Sequence, residues 1–130
     1  MSEAEDVYRA YNVAENAHDL EATESLVAPD LEVAINGRDR IASAQEDAVA
    51  NALLFATYPD YQRQIIEVIA DGDRAAVRWR MLGTPVTGAD LPPLDLHGCS
   101  IVEARSGRLT RAFLYVDEGA LEAVLPVPGS

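Results

Sequence analysis

The chain has 130 residues and a formal net charge of −12, and all ten of its basic residues are arginines. That balance excludes a nucleic-acid or anionic-membrane partner, which would need a basic footprint, and the lack of lysine excludes chemistry through an internal Schiff base. One cysteine and two histidines leave no internal disulfide and no recognisable metal-ligand spacing.

The length suits one domain with its own core, and we expect residues 1–130 to form it, with a loose tail over 126–130. No apolar run reaches the ~18–20 residues that cross a bilayer. The acidic start MSEAEDVYRA lacks the basic region of a signal peptide. With a single cysteine, this points to a reducing cytoplasm. Neither a GxGxxG nor a GxxxxGK[ST] motif is present, so no cofactor is expected.

Ser2 and Glu5 have capping-box spacing, which opens an amphipathic helix over Ser2–Asp19. Val7, Tyr8, Tyr11 and Ala14 recur on one face of it. His18, near its end, is read as structural. A second helix over Leu20–Ala28 is expected to stop at Pro29. Leu31–Ile35 alternates as a strand and runs into the Asn36-Gly37 turn signal. Arg38–Thr57 is expected to be a longer helix with Ile41, Ala44, Ala48, Ala52 and Phe55 on one side, broken at Tyr58-Pro59. Gln62–Ala70, Ala75–Leu82, Leu94–Ala104 and Arg108–Asp117 follow as strands. In the second of these, Val77, Trp79 and Met81 oppose Arg78 and Arg80, which we pair with nearby carboxylates. Gly83–Pro93 reads as a loop. Helices followed by antiparallel strands give an α+β domain.

The last strand carries the sharpest local conflict. Leu109, Phe113, Tyr115 and Asp117 have one parity, so a regular strand sets an ionisable carboxylate at the end of an apolar stripe. Asp117 can cap the following helix, EGALEAVL, or work as an acid or base, and the two roles are compatible. Whether His97 joins it depends on the hairpin. A bulge at Gly107 would set His97 opposite Tyr115 on the face of Asp117, whereas a simple Ser106-Gly107 turn would set it opposite Val116, facing away. Ala112, Leu114 and Val116 make the other face of this strand apolar too. A sheet apolar on both faces needs cover on both, which implies a homodimer through the outer face.

Several short motifs come in an order that resembles the SnoaL-like polyketide cyclases of the NTF2-like superfamily. They are Asn16-Ala17-His18-Asp19, Leu26-Val27-Ala28-Pro29-Asp30, Gly37, Tyr58-Pro59-Asp60, Asp71-Gly72-Asp73, Arg78-Trp79, Gly83-Thr84 and Ser106-Gly107-Arg108-Leu109, with Phe113 and Asp117. The resemblance spans nearly the whole chain. It implies a cone of N-terminal helices on a curved, mainly antiparallel sheet around an apolar cavity, with Asp117 as acid/base. The chain departs from the family at Pro85, where a histidine is frequent. The implied activity is cofactor-independent ring closure of an apolar, polyketide-like substrate. Asp117 and His97 would be the catalytic pair, and Tyr11, Phe55, Tyr58, Trp79, Phe113 and Tyr115 the cavity wall. Two alternatives stay open: an epoxide or lactone hydrolase or isomerase in the same cavity, and a non-catalytic binding protein. The strand of Arg78 and Arg80 lacks the Arg-x-Asp element of limonene-type epoxide hydrolases.

Overall fold

The computed structural model describes residues 2–124, so the expected tail over 126–130 lies outside the described residues. Helix α1 (Glu3–Asn16) opens on half of the expected capping box: the Ser2 side chain accepts from the Glu5 amide and its hydroxyl donates to the Gly72 carbonyl, while the Glu5 carboxylate takes Arg9. Helix α2 (Leu20–Ser25) is capped by Asp19. Six strands then form one sheet: β1 (Val27–Ile35), β2 (Arg38–Ile41), β3 (Gln62–Asp71), β4 (Arg74–Gly83), β5 (Leu94–Arg105) and β6 (Arg108–Val116), in spatial order β2-β1-β6-β5-β4-β3. Only β1 and β6 run parallel; the other pairs are antiparallel. Helix α3 (Ala44–Thr57) lies between β2 and β3 in sequence, and α4 (Glu118–Val124) follows β6. The helices pack on one side of this curved, unclosed sheet, as expected for the α+β cone.

The first helix ends at Asn16, before the expected Asp19, and the larger differences from the sequence expectation lie in α2, β1 and α3. Arg38–Ile41 is not the start of a helix; it is a short edge strand, β2, paired with Val33, Ala34 and Ile35. Its run Arg38-Asp39-Arg40 has no apolar alternation because it is exposed, and charge on an edge strand discourages pairing with other chains. The helix therefore begins at Ala44, with Ser43 as its cap, accepting from the Glu46 amide. Pro29 does not stop a helix reaching Ala28. The second helix ends at Ser25, and Pro29 sits inside β1 where the pairing with β6 is irregular, a place where its missing N–H is tolerated.

Residues paired across the sheet share a face, so the registers sort every side chain. One inner row runs Val68, Val77, Ser100, Leu114, Ile35; another runs Ile65, Trp79, Gly98, Val116. The core lies on this inner face, with Tyr8, Tyr11, Phe55, Tyr58, Tyr61, Trp79, Leu94, Leu121 and Val124 all buried. The opposite face carries the row Ile69, Ala76, Ile101, Phe113, Ala34.

Candidate functional site

The hairpin settles the placement of the expected catalytic pair. Its turn is the two-residue Ser106-Gly107, both with positive φ, and the irregularity comes later: Glu103 pairs with Arg111 but Ala104 pairs with Leu109, which leaves Thr110 as the extra residue. A bulge of one residue moves every later side chain to the other face. Leu109 accordingly points into the core, whereas Phe113, Tyr115 and Asp117 point outward. The expectation that Leu109 shares their face is corrected. His97 lies one step beyond the Gly98–Val116 pair and so does share the side of Asp117, but that side is the outer one and His97 is exposed.

The expected site is thus divided by the sheet. Asp117 is exposed, its side chain accepts from the Ala120 amide 3.0 Å away, and it caps α4. Tyr115 is 49% exposed, and Phe113 is half-buried under the Arg111 guanidinium. Trp79, Tyr11, Tyr58 and Phe55 are all inside. An acid held with the whole aromatic wall in one enclosed pocket is therefore not what this chain folds into.

What the interior holds instead is a polar cluster built from α1, α3 and β3. On α3, the buried residues are Asp47, Asn51 and Phe55, spaced by four, so the inward stripe of this helix begins with an acid and an amide. This replaces the expected apolar side of Ile41, Ala44, Ala48, Ala52 and Phe55, of which only Phe55 is buried. On α1, Tyr8, Tyr11 and Glu15 face inward. The Tyr11 hydroxyl donates to Asp47 Oδ2 at 2.9 Å and accepts from Asn51 Nδ2 at 2.9 Å. Oδ1 of Asp47 has no hydrogen bond among the described residues. Burial lifts the Asp47 pKa above the ordinary aspartate value, outweighing the Tyr11 hydrogen bond and the charge of Arg63. Burial also pushes the Tyr11 phenol well up, and the neighbouring Glu15 and Asp47 charges add to it.

A second set adjoins the first. Arg63, at the start of β3, is buried; its Nη1 donates to the Tyr8 hydroxyl at 3.1 Å and lies 3.5 Å from Glu15 Oε1. Its guanidinium stands over the Trp79 ring at 4.8 Å, and Trp79 Nε1 donates to Ser100 Oγ at 2.8 Å. Burial raises the Glu15 pKa in spite of the arginine. Burial opposes the charge on Arg63, but Glu15 and the surrounding phenols outweigh it and keep the guanidinium protonated. The sequence reading passed over Glu15, Asp47, Asn51 and Arg63. The available signal was the four-residue spacing Asp47, Asn51, Phe55 and its match to Tyr8, Tyr11, Glu15 on the first helix.

The remaining candidates behave as structure. His18, with φ of 55°, stacks on Phe55 at 4.2 Å, and its Nε2 is 2.9 Å from the Tyr61 carbonyl oxygen. Arg78 and Arg80 pair with Glu67 and Asp95, as expected. Tyr58 packs against Gly83, where a Cβ would come within 2.9 Å of it, and its hydroxyl donates to the Val124 carbonyl, tying α4 down. Outside, Asp60 accepts from the Thr84 amide, which holds its pKa low. It borders two open hollows of about 290 and 360 Å³, the second also edged by Thr84 and Pro93 of the Gly83–Pro93 loop. No group of metal-ligating side chains occurs among the described residues.

No curated protein sequence matches the chain. Among solved structures, wild-type IdmH of Streptomyces antibioticus, a candidate polyketide cyclase, is 21% identical with a TM-score of 0.77, over 92% of this chain and 96% of that one. A candidate SnoaL-like polyketide cyclase from Jannaschia sp. CCS1 is 15% identical with a TM-score of 0.76, over 97% and 93%. An NTF2-like protein of unknown function from Cytophaga hutchinsonii is 10% identical with a TM-score of 0.72, over 94% and 96%. These likenesses show the fold. The SnoaL-like domain matches residues 7–112, most of the chain, and the protein belongs to that family.

Proposed function

We propose that the protein is a cofactor-independent acid–base enzyme that closes or isomerises a ring in a small, largely apolar, polyketide-like substrate, with Asp47 as its proton carrier. The observation that carries this reading is the placement of Asp47: a carboxyl buried on the inward stripe of α3 with Oδ2 held by the Tyr11 hydroxyl, where burial pushes its pKa upward. Aldol closure needs a base to take the proton beside a carbonyl and an acid to return one to the oxygen formed. A single desolvated carboxyl can do both in turn, because burial brings its pKa toward the working range. The chain Asn51 to Tyr11 to Asp47 fixes the orientation of that carboxyl. On the concave side, Ile35, Ala112, Leu114 and Val116 face inward but stay half-buried, giving apolar surface that a ring system would cover.

The test is turnover of linear and aryl polyketide-type β-carbonyl compounds, followed by mass spectrometry. Asp47→Asn is expected to lower the rate by about 10²-fold or more, the usual worth of a positioned acid–base group, and Asp117→Asn to leave it unchanged. Wild-type turnover by Asp47→Asn would refute the assignment. Running the reaction in ¹⁸O-water separates ring closure from epoxide or lactone hydrolysis, since only hydrolysis incorporates the label. A non-catalytic ligand-binding role is the second reading. It is favoured by the aromatic character of the interior, where Tyr8, Phe55, Tyr58, Tyr61 and Trp79 offer stacking surface to a flat ligand. Absence of turnover by wild type, with binding retained, would select it.

A further inference from the structure

The chain contains two arginines whose side-on edges can be compared directly. Arg80, on the outer face, uses the pair Nε and Nη2 to grip Asp95: each nitrogen donates to one carboxylate oxygen, both at 2.8 Å. This fork-to-fork arrangement is what makes arginine selective for planar two-oxygen anions. Arg63 presents the same edge inside the protein. There Nε has no hydrogen-bond partner among the described residues, and Nη2 reaches only the Met81 sulfur at 3.7 Å, a weak acceptor. Glu15 does not fill the fork, because its carboxylate stands on the Nη1 side at 3.5 Å. Next to these groups the Tyr61 hydroxyl is buried among the charges of Arg63 and Glu15 and makes no close hydrogen bond. Glu15 Oε1 is also without a hydrogen bond, but the Nε and Nη2 edge of Arg63 meets no oxygen; buried donors are nearly always satisfied, so this open edge marks a site for an oxygen ligand.

We infer that Arg63 is the receptor for a planar two-oxygen anion, the carboxylate of a ring acid or the enolate of a 1,3-diketone, gripped by Nε and Nη2 and met by the Tyr61 hydroxyl. This deepens the reading of the interior as the substrate site and makes the substrate an acidic ring compound. Trp79 already stacks under the guanidinium, so a flat ligand continuing the plane of the fork extends over an aromatic floor. Met81, paired with Arg63 across β3 and β4, is the side chain that must swing aside, and an unbranched thioether has the rotamers to do so. With Glu15 compensating the charge from the other side, selectivity comes from the geometry of the fork. An uncharged isostere offering one acceptor and an NH₂ group should then be discriminated against.

The experiment is calorimetric titration of the wild-type protein with 2-naphthoate, 2-naphthamide and, above its enol pKa, benzoylacetone. The expected result is 2-naphthoate or the benzoylacetone enolate binding at least about ten-fold tighter than the amide, the worth of a charge-assisted hydrogen-bond pair. Whichever anion binds identifies the source of the two oxygens. Arg63→Lys keeps the charge but removes the fork, and is expected to erase the contrast. If that variant does not fold, the neutral pair Glu15→Gln with Arg63→Gln takes its place, and the wild-type contrast stands without either. Equal binding of naphthoate and naphthamide, no binding of either anion, or a contrast that survives Arg63→Lys would overturn the assignment. No turnover is measured, so a failure here leaves the acid–base role of Asp47 standing, and a failure of that role leaves this contrast standing.

Discussion

Asp47 and Asp117 are the same side chain in opposite surroundings, and their surroundings decide what each can do. Asp117 is exposed and spends one oxygen on the Ala120 amide. Asn supports an N-cap as well as Asp, whereas Ala does not, so Asp117→Asn is expected to be near neutral and Asp117→Ala to cost about 0.5–2 kcal/mol in denaturant unfolding. A large loss in Asp117→Asn would mean that its charge, and not its cap, matters. Asp47 is buried, and its pKa in the folded protein is raised by that burial. A carboxyl of this kind binds its proton more tightly folded than unfolded. Its contribution to stability is therefore complete below the unfolded pKa and is lost as pH rises through the folded one. Glu15 shifts the same way, for the same reason. Wild type is accordingly expected to lose stability relative to Asp47→Asn as pH climbs from the ordinary carboxylate range toward the raised value. Melting temperatures of the two proteins across that range check the sign. A wild-type melting temperature that holds constant or rises relative to that of Asp47→Asn as pH climbs would mean that Asp47 is not held protonated by the fold.

Elements, not single side chains, govern how the interior is shaped, and the pair β4–β5 shows it most directly. Trp79 lies flat against Gly98, its cross-strand partner, and a Cβ built there would stand 2.4 Å from the ring. Gly98→Ala must push the indole off Ser100 and out from under Arg63, and overpacking of this size costs about 1–3 kcal/mol. Denaturant unfolding with tryptophan emission, which reports the chain's single indole, would show a lower midpoint and a shifted native spectrum; an unchanged spectrum would mean that the strands part instead. The same scale explains what was legible in the sequence. The Ser2 cap, the alternation of Val77, Trp79 and Met81, and the pairing of Arg78 and Arg80 follow from periodicity and charge and appear in the fold, as does the order of elements apart from β2. What was not legible turns in each case on a tertiary partner. Pro29 is admitted to a strand by an irregular pairing with β6, and Arg38–Ile41 is a strand only because β1 is beside it. Thr110 has no marking that announces a bulge, yet it exchanges the two faces of everything after it, and with them the side of the sheet on which Asp117 stands. Asp47 and Asn51 were hidden by the rule that inward stripes are apolar, a rule that buried, mutually hydrogen-bonded polar groups escape.

At the scale of the molecule, the outer face of the sheet remains to be explained. Its central row crosses five strands without a charge: Ile69, Ala76, Ile101, Phe113 and Ala34. Ile69 is 68% exposed and Ile101 41%. Tyr115 stands in the adjacent row beside Cys99, Arg78 and Glu67. A contiguous apolar band of this kind is unusual on a monomer. The charges that flank it, Arg78 with Glu67 and Arg111 with Glu103, come in both signs on the same surface, which makes the surface complementary to itself. Self-complementarity is the condition for a two-fold interface, in which the same patch serves both partners. The expected species in solution is therefore a homodimer joined through these outer faces. Sedimentation equilibrium at micromolar concentration should give twice the 14.0 kDa chain mass. Ile101→Glu would put a charge in the middle of the buried row and is expected to weaken association by at least about 2 kcal/mol, the scale of a central contact, giving monomers of unchanged secondary structure. A wild-type protein that sediments as a monomer, or a dimer indifferent to Ile101→Glu, would show that the band serves something other than a second copy of this chain.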